Sequence, residues 1–481
     1  MGCADCTGAV HPRTFPSLAL SVTLVAACIV AVPALAQEGG FGSERSIEER
    51  LRELEAAVRK SEPVKDALPE TQATGRKKPP SQAGWDEKNG FFLRSDDNDF
   101  LLRVTGQIQS DYRYYQNDHD AVDLPTFLVR RARLGIEATV FRYYDFRLLP
   151  DFGQGNTRLQ DAYLNARYWD EFQVETGKFK QPFSYEQLIQ DRFVPTMERS
   201  IIDQLVPARD VGVMIHGYKL FDDRFDYAAS IYGGVINGDQ DTDRNKEAAG
   251  RVVVRPLRDI GLPDWADGLQ LGIAGTFGND RGVLQPTTLR TPAFVPWFQF
   301  VPAARPDGTR TRCSPELVYF YGPFGLAAQY YEEQQELRAP AGGAARSSVV
   351  RVSYRGGYVM ATCLLTGEER STYSAPITPL VPFDPPGGCY GTGAWELVGR
   401  VSWLELSSDD PRGFARLMDP ARSATKATEI TTGFNWYLNR WVRMQFNWEY
   451  ARFNSAVRLG PTAANRLDHQ NSFLTRVQII F

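Results

Sequence analysis

Eleven basic side chains stand out for the regularity of their setting. Arg103, Arg113, Arg131, Arg133, Arg147 and Arg167 fall on the polar parity of successive alternating segments, and Lys178, Lys180, Arg192, Arg199 and Arg209 follow soon after. A guanidinium offers a planar fork of donors that grips a phosphate or carboxylate with two bonds, while an ammonium is a mobile point charge. A ladder of both would draw anions along a passage. Asp111, Glu137, Asp145, Asp151 and Asp161 share that parity, so pairing of the arginines with wall carboxylates is the competing reading. Charge balance restrains the first reading. The 481 residues hold 54 basic and 58 acidic side chains; residues 1–84 contribute ten of each, so the remainder keeps the whole −4.

Catalytic chemistry finds no foothold. HExxH, GxSxG, P-loop and EF-hand spacings are absent, and His216, in the segment GVMIHG, has no Ser or Cys nucleophile motif near it and reads as structural. The acidic run DQDTDRN (239–245) lacks the glycine and terminal glutamate of a calcium loop and reads as solvated, with weak Ca²⁺ binding as the alternative. No enzyme, cofactor or metal is expected, and the lack of a basic excess argues against nucleic acid.

The elements that carry the basic residues have a period of two. In 100–115, Phe100, Leu102, Val104, Ile108, Tyr112 and Tyr114 alternate with Arg103, Thr105, Gln107, Gln109, Asp111 and Arg113. A second run sets Leu128, Ala132, Leu134, Ile136 and Val140 against Arg131, Arg133 and Glu137; 429–438 and 442–450 repeat the pattern. A soluble sandwich would hide the apolar face, whereas a membrane barrel turns it to lipid around a wet lumen. Runs of about 10–15 residues exceed ordinary sandwich strands. Aromatic pairs at segment ends (Tyr143-Tyr144, Tyr168-Trp169, Trp436-Tyr437) suit interfacial girdles. The fold class expected is all-β, a transmembrane antiparallel barrel over 85–481, of about 16 strands at roughly 25 residues per strand and connection. A barrel of that size leaves an aqueous channel. The last strand alternates Phe473, Thr475, Val477, Ile479 and Phe481, resembling the terminal signal read by the barrel-assembly machinery.

Ahead of the barrel, 18–36 is an apolar run after Arg13 ending Ala34-Leu35-Ala36, so residues 1–36 read as a secretory signal peptide, with an anchor helix as the alternative. Ile47, Leu51, Leu54 and Val58 form an a/d seam, so 37–61 reads as a short coiled-coil helix, which needs partners from an oligomer to be stable. A solvated amphipathic helix is the alternative. Proline-rich 62–84 reads as a linker. Cys313, Cys363 and Cys389 remain after the leader, without CxxC spacing. Counting strands puts Cys363 and Cys389 on one side of the membrane, able to bridge, with Cys313 outside on the other; three unpaired thiols are the alternative.

Six stretches carry a family resemblance: GKFKQPFSYEQL (177–188), MERSIIDQLVPARDVGVMIHG (197–217), GPFGLAAQY (322–330), LLTGEER (364–370), GAWELVGRVSWL (393–404) and TTGFNWYLNRWVRMQFNWEY (431–450). Together they resemble the phosphate-selective porin O/P family. The resemblance implies a 16-stranded homotrimeric barrel in a Gram-negative-type outer membrane, narrowed by a folded-in loop, passing small anions such as phosphate or polyphosphate by diffusion. Residues 181–209 stand where that loop belongs, with an extracellular flap as the alternative. Phe172 and Val174 face outward while Phe179 has changed parity, so a β-bulge at Gly177, or a strand ending there, is expected. From another class, a mainly structural barrel tied to the cell wall through the N-terminal helix remains the alternative function.

Overall fold

The computed structural model describes residues 82–86, 90–116, 126–238, 240–342, 346–386, 389–459 and 466–481. The expected signal peptide, coiled-coil helix and all but the end of the linker lie outside them. Sixteen strands form one closed antiparallel barrel: β1 Leu101–Gln116, β2 Thr126–Val140, β3 Tyr144–Asp151, β4 Arg158–Trp169, β5 Phe172–Lys180, β6 Arg209–Lys219, β7 Phe225–Tyr232 and β8 Glu247–Val254. The circuit continues through β9 Leu269–Asp280, β10 Arg305–Tyr321, β11 Phe324–Ala339, β12 Ser348–Leu364, β13 Ala394–Ser407, β14 Lys426–Tyr437, β15 Val442–Arg458 and β16 Arg466–Ile480. Each pairs with the next, and β16 returns to β1 with Ile479 opposite Ile108. A hairpin of Gln82–Asp86 and Gly90–Arg94 pairs with the first residues of β1, so strand begins inside the stretch expected to be linker.

The distribution of polarity is inverted relative to a soluble protein. On β1 the inward Gln109, Asp111 and Arg113 are at most 1% exposed, while outward Ile108 is 52% exposed. On β16, Phe473, Val477 and Ile479 are likewise exposed. Only lipid makes such a surface stable. Aromatic girdles cluster at strand ends, as in Trp395 stacked on Trp436 at 5.3 Å and Tyr143 on Tyr168 at 5.0 Å. One end of the barrel carries tight turns such as 170–171, 322–323 and 438–441, though also the 29-residue connection 365–393; the other carries 181–208, 281–304 and 408–425.

Part of the lumen is filled by a packed core. Segment 181–208 folds inward and packs Phe183, Ile189, Met197, Ile201 and Val206 against Leu289, Trp297 and Phe298 of 281–304 and against Phe414 and Leu417 of a short helix, Pro411–Leu417. Tyr331, Tyr354 and Tyr358 of the wall complete this core. Each fully buried Ile, Leu or Phe stabilises by about 1.5–3 kcal/mol, so the segment is held by a true hydrophobic core. Strands beside this core are tall, 17 residues in β10, β12 and β15, whereas β3, β7 and β8 span 8. The open space lies on the low side, against β1 to β8.

Three local expectations change. The register of β2 slips between Gln109 opposite Arg131 and Ser110 opposite Val129, leaving Arg130 as an extra residue. The bulge flips parity, so Phe127 and Val129 face outward instead of Leu128. At Gly177 the opposite holds: from Val174 to Lys180 the pairing of β5 runs without a register shift, with Gly177 at φ +120 and no extra residue, and the one irregularity with β4 lies farther back, between Ala166 and Trp169. A Cβ there would meet the Ala162 carbonyl oxygen at 2.3 Å. Cys313 lies within β10 on its exposed side, not ahead of an inward-running strand, and both Cys313 and Cys363 carry free thiols.

Candidate functional site

The folded-in segment is organised first by its own charges. Ser184 caps a single helical turn, Tyr185–Leu188, by accepting from the Gln187 N–H at 3.3 Å. Lys180 donates to the carbonyls of Gln187 and Ile189, at 2.6 and 2.8 Å, where that turn presents its negative end. Arg199 ties the return path down, donating to Asp191 at 2.7 Å and to the carbonyls of Ile189 and Glu186 at 2.8 and 2.9 Å.

Three loop carboxylates then clamp to the wall. Glu198 accepts from Arg113 at 2.8 Å, from Arg130 at 2.7 and 3.0 Å and from Arg476 at 3.0 Å, with Arg131 at 3.5 Å. Asp191 pairs with Arg133, and with Arg131 at 3.4 Å. Glu186 accepts from the Ser200 N–H at 3.0 Å and faces Arg400 at 3.4 Å. Burial opposes ionisation of both Asp191 and Glu198, but the surrounding guanidiniums prevail. Arg199, Arg133 and Arg131 hold Asp191 well below the usual carboxylate range; Arg130, Arg131, Arg476 and Arg113 do the same for Glu198. Asp203 is different: burial pushes it up to about 7, against Arg199 at 3.8 Å.

Between segment 181–208 and the low wall lie two adjoining cavities. A vestibule of about 540 Å³ at the long-loop end is lined by Arg130, Arg131, Arg158, Lys178 and Arg199 among others. A chamber of about 210 Å³ lies toward the short-turn end, with Arg147, Lys180, Arg192 and Arg251 on its walls. Arg133, Asp191 and Arg209 border both, so they frame the neck between them. Taken together the two linings carry eleven basic and seven acidic side chains. The two cavities are locally basic inside a chain that is acidic overall.

The sequence-expected residues divide by partner. Arg103 pairs with Glu137 at 3.0 Å, Arg133 with Asp151 at 2.7 Å, Arg167 with Asp145 at 2.9 Å and Arg209 with Asp161 at 2.6 Å. Arg147 stands between Asp161 at 3.3 Å and Glu137 at 3.5 Å. Arg113, Arg131 and Arg199 belong to the loop clamp. Lys178 donates to the Asn237 carbonyl at 3.4 Å. Lys180 bonds only carbonyls, and Arg192 meets the neutral Gln190 amide at 2.8 Å and the Phe193 ring at 5.0 Å. Burial lowers the Arg192 guanidinium to about 10, with Arg147 adding to the effect, so it stays charged near neutrality. Arg130, Arg158 and Arg251 were missed. For Arg130 the signal was present, since an Arg-Arg doublet in an alternating strand puts one arginine on the lipid face unless a bulge intervenes. His216 sits at 3.3 Å from the Asn165 amide oxygen, consistent with a structural role.

Comparison with known proteins bears on this geometry. No curated protein matches the chain. Among solved structures, it is similar to the outer-membrane protein OmpT of Vibrio cholerae in trimer form, at 12% identity over 79% of this chain and 99% of that one, with a TM-score of 0.47. It is also similar to the outer-membrane channel DcaP of Acinetobacter baumannii, at 12% identity over 83% and 100%, with a TM-score of 0.49. The family model described as phosphate-selective porin O and P matches residues 102–279 and 301–481. With that match across three-quarters of its length, the chain belongs to the phosphate-selective porin O and P family, as a non-enzymatic outer-membrane β-barrel porin.

Proposed function

We propose that this porin passes small anions by passive diffusion, with inorganic phosphate or polyphosphate the solutes its family points to. The observation that carries the reading is the excess of basic over acidic side chains along the vestibule, neck and chamber. Fixed cations in a narrow, poorly screened passage raise the local concentration of anions. Lys178, Lys180 and Arg192 are the side chains we assign to the moving ion, together with Arg158 at the entrance, while Arg133 and Arg209 stand at the neck already paired with Asp151, Asp191 and Asp161 and Arg130 belongs to the Glu198 clamp. Arg113, Arg131 and Arg199 act mainly by anchoring the folded-in segment, and Arg103, Arg147 and Arg167 by balancing wall carboxylates. The assembly we propose is a homotrimer in lipid, with residues 37–61 joining the three copies as a coiled coil. Reversal potential in a KCl gradient across a planar bilayer tests the function: the sign should report chloride preference. A cation-preferring potential would retire the anion reading and leave a general porin.

A further inference from the structure

The inner chamber is unusual for a wet lumen, because large apolar and aromatic side chains are interleaved with its charged ones. Leu149, Tyr163, Phe179, Met214, Tyr218 and Val253 line it from β3, β4, β5, β6 and β8. Barrel interiors of this kind are otherwise polar, and here these side chains are not spent on the packed core, which lies on the opposite side. The cations are available to a solute in unequal measure. Arg251 is taken by Glu316 at 3.0 Å, and Arg209 by Asp161 at 2.6 Å. Arg192 engages only a neutral amide oxygen and a ring, while Lys180 meets no carboxylate but directs its donors to the carbonyls of Gln187, Leu188 and Ile189. Among the opposing carboxylates lining the chamber, Asp226 accepts from Arg255 at 2.6 Å, and Glu175 stands 3.8 Å from His216.

An inorganic ion gains nothing from apolar side chains, while a solute with both an oxyanion and a hydrophobic body would use both kinds. The volume fits such a solute: a cavity of about 150 Å³ accommodates benzene, and this one is about 210 Å³. We infer that the chamber is a selectivity site for organic oxyanions bearing an aromatic body, with the headgroup toward Lys180 and Arg192 and the ring toward Tyr218, Met214 and Phe179. The inference rests on the anion-channel reading and narrows its solute class.

Phenyl phosphate and inorganic phosphate separate the two ideas, since they share a headgroup and differ by the ring. At about pH 8 a phosphate monoester is doubly charged. Block of the chloride current through the full-length channel in planar bilayers should then require roughly tenfold less phenyl phosphate than phosphate, the scale expected of one aromatic contact. Tyr218 is 44% exposed, so Tyr218→Ser should fold and should bring the two half-blocking concentrations toward each other. An open, anion-selective channel that both ions block equally would overturn the inference and leave the anion porin standing. So would a preference for phenyl phosphate that Tyr218→Ser does not diminish. A channel without anion selectivity would remove both.

Discussion

Arg113 of β1 and Glu198 of the folded-in segment meet at 2.8 Å, the arginine side chain at 1% exposure and the carboxylate at 7%. The pair joins wall to loop across 85 residues of sequence, and Arg130 and Arg476 converge on the same carboxylate. A lone carboxylate buried so deeply would be costly; surrounded by guanidiniums it becomes the point at which the loop is fixed. The arginine ladder therefore has two uses. Its members near Glu198 set the width of the passage, and those farther along set its charge.

Replacing Glu198 by Gln should loosen the loop. Removing one partner from a buried ion pair costs about 3–5 kcal/mol, here because Arg113, Arg130 and Arg476 lose their common counter-charge. The expected result is a lower unfolding temperature in detergent with a larger and noisier single-channel conductance. An unchanged conductance would show that the hydrophobic core holds the segment without this clamp.

Arg192 offers the cleanest test of the charge of the path, since its side-chain contacts are a neutral amide and a ring. Arg192→Glu should move the reversal potential toward cations. One charge contact near 4 Å is worth about 1 kcal/mol even in water, so the permeability ratio should change by roughly fivefold per charge. Arg167→Glu, at a site 38% exposed and paired with Asp145, should do much less because solvent screens it. Equal shifts from both variants would mean that the selective step is not at the neck and chamber.

Alternation made the tall strands legible. In β1, β14, β15 and β16 each side chain faces either lipid or lumen, so the period of two is written over twelve residues or more. Short β7 and β8 were harder to see, with Ala-Ala pairs and Gly250 blurring the contrast. The partly filled lumen was not legible, because Leu289, Trp297 and Phe298 lie in an aperiodic, proline-containing stretch whose partners are distant in sequence. The basic residues were found by type and parity, but not their partners. Arg113 meets Asp111 on its own strand, but that it also meets Glu198 is decided by how the loop folds back, and nothing local encodes that.

Barrel closure depends on a missing side chain. Gly106 and Phe481 exchange both backbone hydrogen bonds, at 2.9 and 3.1 Å, and the Phe481 ring occupies the space where a Cβ would stand, 2.1 Å from its ring atoms. The same ring meets Phe91 edge-on at 5.9 Å. Gly106→Leu should expel it, at a cost of about 1–3 kcal/mol for overpacking, and lower the folded fraction on refolding into detergent, read as the unboiled band on a gel. Phe481→Ala in the same background should cost less than the two single changes added. Strict additivity would mean that the ring and the glycine act separately.

Asp203 should make selectivity depend on pH. It lines the vestibule, and burial raises its carboxyl to about 7, whereas Asp191 and Glu198 are held well below the carboxylate range and stay ionised near neutrality. Below about pH 7 Asp203 is neutral and the vestibule gains one unit of positive charge. Anion preference should therefore be higher at about pH 6 than at about pH 8. Stability follows the same sign. An acid whose folded value lies above the unfolded value of about 3.9 binds more protons when folded, so the barrel loses stability as pH rises from about 4 to about 7. Asp203→Asn should fix the high-preference state, flatten the pH profile of the reversal potential and raise stability at alkaline pH. A wild-type profile already flat between those limits would place the ionisation of Asp203 elsewhere.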